Sequence, residues 1–191
     1  DAGGPLVALL AVFAHFYHLE NLPFNLIFAA TAEEENSGTN GMAILTTLLD
    51  RVDFAIVGEP TKMELAVAEK GLLVMDCIVK GKAGHAARNE GINSIYLAMD
   101  EIQKVKNYKF DKISPILGEV KMTVTQIEAG FQHNVVPDTC KLVMDVRTNE
   151  CYSNDEVIDI ISSLLSCEVK PRSRRLNSSG IHMEHPFVQK A

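Results

Sequence analysis

The chain has 191 residues, 47% of them hydrophobic, which is enough for a sizeable core in one ordinary domain or two small ones and argues against disorder. Its 25 acidic residues outnumber 18 basic ones, and a net charge of −7 excludes nucleic-acid binding, which needs clustered Lys and Arg against phosphate. The short basic run from Lys170 to Arg175 reads as a solvated turn.

Asp1-Ala2-Gly3-Gly4 leads into an apolar stretch, and residues 5–20 are expected to form a buried helix with Pro5 in its first turn. The stretch falls short of the about 20 apolar residues that cross a bilayer, and it lacks the basic flank and cleavage site of a signal peptide. No membrane association is expected. Residues 25–31 form a continuous apolar run, the pattern of a strand buried on both faces. Residues 38–49 read as a second helix and 54–57 as a second buried strand. Helix, strand, helix, strand is the grammar of a parallel α/β sheet.

The grammar changes after Thr61. Residues 72–81 alternate as a half-buried strand, 92–105 form an amphipathic helix, and 120–128 and 141–146 are further alternating strands. A helix at 154–165 with an Asn or Ser cap and a strand at 167–171 complete a ferredoxin-like split βαβ pattern. From residue 180 on, His185-Pro186-Phe187-Val188-Gln189-Lys190-Ala191 reads as a helix start. The expected organisation is thus an α/β domain, mostly parallel, with an α+β domain inserted into it. Residues 1–63 begin the first domain, 64–178 form the insert, and 179–191 return to the first. Cys77, Cys140, Cys151 and Cys167 show no C-x-x-C spacing, so reduced thiols in a cytoplasmic protein are expected.

Chemistry gathers at the strand ends, where open α/β sheets bind ligands. Glu33, Glu34 and Glu35 follow the first apolar run and Glu59 follows the second. An acidic triplet alone is as readily a solvated loop as a site. Two groups of carboxylates at neighbouring strand ends, without adjacent Lys or Arg, repel one another unless a divalent cation shares their charge. The second group favours a metal site.

Several segments resemble one family, the di-zinc amidohydrolases and exopeptidases that include acetylornithine deacetylase, succinyl-diaminopimelate desuccinylase and glutamate-releasing carboxypeptidases. Residues 31–41, Thr-Ala-Glu-Glu-Glu-Asn-Ser-Gly-Thr-Asn-Gly, are similar to the family's strand-end T-A-D-E-E and the Gly-rich turn after it. Gly58-Glu59-Pro60-Thr61 resembles the V-G-E-P-T of the acetylornithine deacetylase branch. Gly81-Lys82-Ala83-Gly84-His85 looks like the lid histidine segment, with Asn134 to Asp138 and Asp145-Val146-Arg147 like the lid strand pair. One departure is that Arg88-Asn89-Glu90-Gly91 lacks the family's Pro and one residue before its Gly-x-Asn.

The resemblance implies that Glu34 is the catalytic base and Glu35 a metal ligand, with Gly38 and Gly41 setting that register. Glu33 is then solvated or outside the ligand set. Glu59 matches the ligand of the other ion, and Asp1 the carboxylate bridging both. The implied cofactor is two Zn2+, or Co2+, about 3.5–4 Å apart, activating a shared water whose proton the base takes. His85 is implied to reach across a homodimer, formed through the lid, to stabilise the tetrahedral oxyanion. Asn134 and Arg147 look like substrate-side groups, although a turn Asn and an Arg paired with Asp145 or Asp138 would serve as well.

The family's His-x-Asp motif and its last ligand histidine are not in this sequence, so the chain reads as part of a longer enzyme, inactive by itself. The expected reaction is hydrolysis of the amide of an N-acyl amino acid, most like acetylornithine deacetylase of arginine biosynthesis, with an N-succinyl substrate as a close rival. A dipeptidase or carboxypeptidase of the same family is a second reading. A non-catalytic dimerisation module carrying half a site is a third.

Overall fold

The computed structural model describes residues 2–35 and 38–190. They divide into two units, one ending at Leu65 and the other starting at Ala66. In the first, α1 (Gly3–Tyr17) is apolar almost throughout but, against the expected burial, none of its residues is buried. It ends three residues before the expected Glu20, where the Leu19 N–H turns back to the Phe16 carbonyl. Helix α2 (Met42–Leu48) starts later than expected because residues 38–41 are taken up by a tight turn. The Phe13 ring of α1 meets Phe28 at 5.9 Å, and Gly58 lies against Pro5 and Leu9, so both apolar runs touch this helix.

The expected parallel sheet is not found among the described residues of this unit: residues 25–31 and 54–57 form no ladder. A strand buried on both faces needs hydrogen-bonding neighbours and covering layers. The described residues up to Leu65 supply two such runs and no more, and Ile56 and Val57 remain 70% and 79% exposed.

The second unit carries β1 (Ala68–Glu69), β2 (Gly71–Lys80), β3 (Gly84–His85), α3 (Ser94–Asn107), β4 (Lys121–Ala129), β5 (Val135–Val136), β6 (Thr139–Thr148), α4 (Asn154–Leu164), β7 (Glu168–Pro171) and β8 (Ser179–Gly180). Strands pair in the order β4-β6-β2-β7, every neighbour antiparallel. With α3 between β2 and β4 and α4 between β6 and β7, this is the split βαβ arrangement expected from the sequence.

Its core follows from the period of two. Along β2 every second residue is buried, from Leu73 through Met75 and Cys77 to Val79. The register Met75↔Met144 and Cys77↔Leu142 places the buried residues of β6 on the same face. Ala98 and Val105 of α3 and Val157, Ile158 and Ile161 of α4 close over that face. The opposite face is half-buried and carries the Asp76–Arg172 and Asp145–Arg147 pairs. Both helices are capped as sequence rules require. Asn93 accepts from the Ile95 N–H, and Ser153 with Glu156 forms a reciprocal capping box.

Strand β4 is an edge, kinked by a bulge at Thr125, and most of it is exposed. At the end of the chain, β8 pairs with β1, and only a 3-10 turn, Val188–Lys190, forms where a helix start was expected. All four cysteines are free, Cys77 and Cys140 buried and the other two half-buried. Burial pushes the Cys140 thiol up, and a hydrogen bond to Cys167 pushes Cys77 further.

Candidate functional site

The acidic triplet folds into a turn held by its first member. Glu33 adopts φ 61°, and its carboxylate accepts the Asn40 backbone N–H at 2.9 Å and the Asn40 side-chain amide at 3.0 Å. Its carbonyl accepts from the Gly38 N–H at 3.0 Å. A Cβ at Gly38 would run into the Glu33 side chain, and one at Gly41 into the Ala32 carbonyl, so both glycines are required by the wrap of this turn. Glu33, expected to be solvated or outside the ligand set, is the clamp that shapes the loop.

The Asn40 bonds hold the Glu33 carboxyl below its ordinary range. A carboxylate so held stabilises the turn fully above its unfolded pKa, about 4.3, and that contribution disappears as pH falls through the lower, folded value. The Asn40 amide signal should therefore shift below about pH 4, and Glu33→Gln should flatten that response. An Asn40 amide indifferent to acid in the unsubstituted chain would refute the clamp.

Glu34 and Glu35 follow in the same turn, both exposed, and Glu59 is exposed one residue after the contact of Gly58 with α1. Asp1 lies outside the described residues. Among the described residues no three His, Cys, Asp or Glu side chains gather closely enough to hold a metal ion. Catalytic zinc keeps about three protein ligands per ion, so Glu35 and Glu59 would need side chains beyond the described residues to hold one.

In the second unit, the ladder His85↔Val135 and the bond from Ala86 N–H to the Asn134 carbonyl, 2.9 Å, bring His85 and Asn134 side by side. His85 sits on a loop whose ends are closed by reciprocal bonds between Lys82 and Ile92, 2.8 and 2.9 Å. Its imidazole is exposed, with Nδ1 accepting the Ala87 N–H at 3.1 Å. Glu90 Oε1 accepts the His85 backbone N–H at 3.3 Å. Sequence reasoning passed over Glu90; its signal was an acid held between Gly84 and Gly91, which fold back on each other.

Arg147 stands elsewhere. It grips Asp145 through two bonds, 2.8 and 3.0 Å, opposite Leu72 and Lys121. Eight residues of strand separate it from Thr139, beside the loop, which is about 27 Å at the usual rise. Within one protomer Arg147 and His85 cannot share a small ligand.

A family model described as the peptidase dimerisation domain matches residues 67–172. Succinyl-diaminopimelate desuccinylase of Sulfurimonas denitrificans is 32% identical over 146 residues, 71% of this chain and 40% of the relative. Acetylornithine deacetylase of Myxococcus xanthus is 30% identical over 135 residues, 67% of this chain and 36% of the relative. The aminopeptidase PepT of Bacillus cereus shares the fold over 64% of this chain and 34% of its own, with TM-score 0.50 and 18% identity. The chain spans between 36% and 51% of the length of such curated relatives.

Proposed function

The chain belongs to the peptidase dimerisation domain family, and on that premise we propose that it is the self-associating part of a hydrolase cleaving the amide bond of an N-acyl amino acid. The observation that carries this is the family match over 67–172, laid on a sheet with an open edge at β4. That edge offers unpaired backbone groups to a second copy. Helix α3, which packs over the β4 side of the sheet, leaves Tyr96 68% and Met99 60% exposed, and β4 leaves Ile127 56% exposed. A two-fold contact built from this helix face and edge would bury all three in a self-complementary patch.

The chain should therefore sediment at twice its monomer mass, and Tyr96→Asp with Met99→Asp should yield monomers of unchanged helix and sheet content. A wild-type monomer at high micromolar concentration would refute the interface.

His85 and Asn134 are proposed as substrate-side groups and Glu34 as the base, with Glu35 and Glu59 as carboxylate ligands that further side chains complete. Relatives named for succinyl and for acetyl substrates both support the N-acyl class. Assaying the active protein on N-acetylornithine and N-succinyl-diaminopimelate separates the two, and no turnover of either would leave the dimerisation module alone. A cytoplasmic location accords with four free thiols. No described helix is long and apolar enough to cross a membrane.

A further inference from the structure

We infer that Glu90 is a positioning residue which, with the Ala87 backbone amide, fixes the His85 imidazole as a hydrogen-bond donor through Nε2–H, aimed at a carbonyl or anionic oxygen of a ligand. The inference rests on the reading of His85 as a substrate-side group, and it adds the protonation site and the residue that sets it.

The neutral imidazole has one N–H, and a ring nitrogen that accepts a bond cannot carry it. Nδ1 accepts the Ala87 N–H at 3.1 Å, so the proton resides on Nε2. That bond requires the backbone at residues 85–87 to be held in one conformation, and the loop holds it from several sides. The Ala86 N–H donates to the Asn134 carbonyl, and the Arg88 N–H donates to that of His85 at 2.8 Å. The His85 N–H is taken by Glu90, reaching back five residues across the loop.

Glycines make this reach possible. A Cβ at Gly84 would meet Gly91 N at 2.8 Å and Glu90 Cγ at 3.2 Å, and one at Gly81 would strike the Ile92 carbonyl. The backbone thus closes on itself and leaves the ring at the exposed surface. A donor whose direction is settled before the ligand arrives needs no reorganisation when charge develops on the ligand oxygen.

The test is nitrogen-15 NMR of the histidine rings in the full chain near pH 8, where imidazoles are neutral. Wild-type His85 should show its proton on Nε2 and a bare Nδ1. Glu90→Ala should draw the two ring-nitrogen signals together, as tautomers begin to exchange. Glu90→Gln should restore the wild-type pattern, because its amide oxygen accepts the same N–H. In the active hydrolase Glu90→Ala should lower kcat roughly 10- to 100-fold, again with rescue by Gln. A proton on Nδ1 in the wild type overturns the inference, as does a Glu90→Ala ring indistinguishable from wild type. His85→Ala with full turnover would instead sink the substrate-side reading, leaving the ring assignment standing.

Discussion

Glu34→Gln in the active hydrolase is expected to lower kcat by about 10²- to 10⁴-fold, the span that a positioned general base contributes. The substitution keeps the size of the side chain and removes its capacity to take a proton, which under the proposed role comes from attacking water and goes to the leaving amine. The turn should survive it, because the turn is built on the neighbouring residue: Glu33 supplies both side-chain bonds to Asn40, and Gly38 and Gly41 provide the room. Metal content should also be unchanged, whereas Glu35→Gln should lower it. Loss of metal on Glu34→Gln would mean that base and ligand are exchanged between these neighbours, and near-normal turnover would exclude Glu34 as the base. Mixing the Glu34→Gln and His85→Ala proteins adds a second reading. If His85 serves the partner subunit's site, mixed dimers regain one working site of two; if it serves its own, no ratio restores turnover.

The second large effect concerns the platform. Met144→Ala is expected to cost about 2–5 kcal/mol, the range for emptying a fully buried Met site whose surroundings relax only in part. Met144 is wholly buried midway along β6, between Met75 of β2 and Val124 of β4. Against a total stability of about 5–15 kcal/mol, the loss consumes a large share. It should appear as a lower urea midpoint with unchanged slope. Val143→Ala, one residue away on the half-buried face, should cost clearly less. Equal losses at the two positions would mean that the helix-covered face is not the core. The same platform carries the β4 edge and the base of the His85 loop, so Met144→Ala should weaken self-association as well.

Glu33 and Arg147 show where reading by residue type runs out. Three adjacent glutamates look alike in sequence, yet one of them is turned inward by Asn40, seven residues on. Arg147 has the chemistry to grip a carboxylate, and it does grip one, that of Asp145 two residues before it. Which carboxylate it meets depends on its place along β6.

The sequence by itself determined the second unit. Alternation along β2 and β6, the capping residues Asn93 and Ser153, and the βαββαβ order are signals carried within a few residues. The six elements of that order formed within about two residues of their expected bounds, whereas the two-residue strands β1, β3, β5 and β8 carried no such signal. Family membership was equally legible, since short motifs keep their order along the chain. Only tertiary structure decided the rest. The apolar runs 25–31 and 54–57 announce burial but not a neighbour, and neither forms a ladder among the described residues. The pairing of His85 with Val135 joins residues 50 apart through backbone groups that every sequence has. Periodicity is written locally, whereas a hydrogen-bonded partner is chosen by where the chain returns.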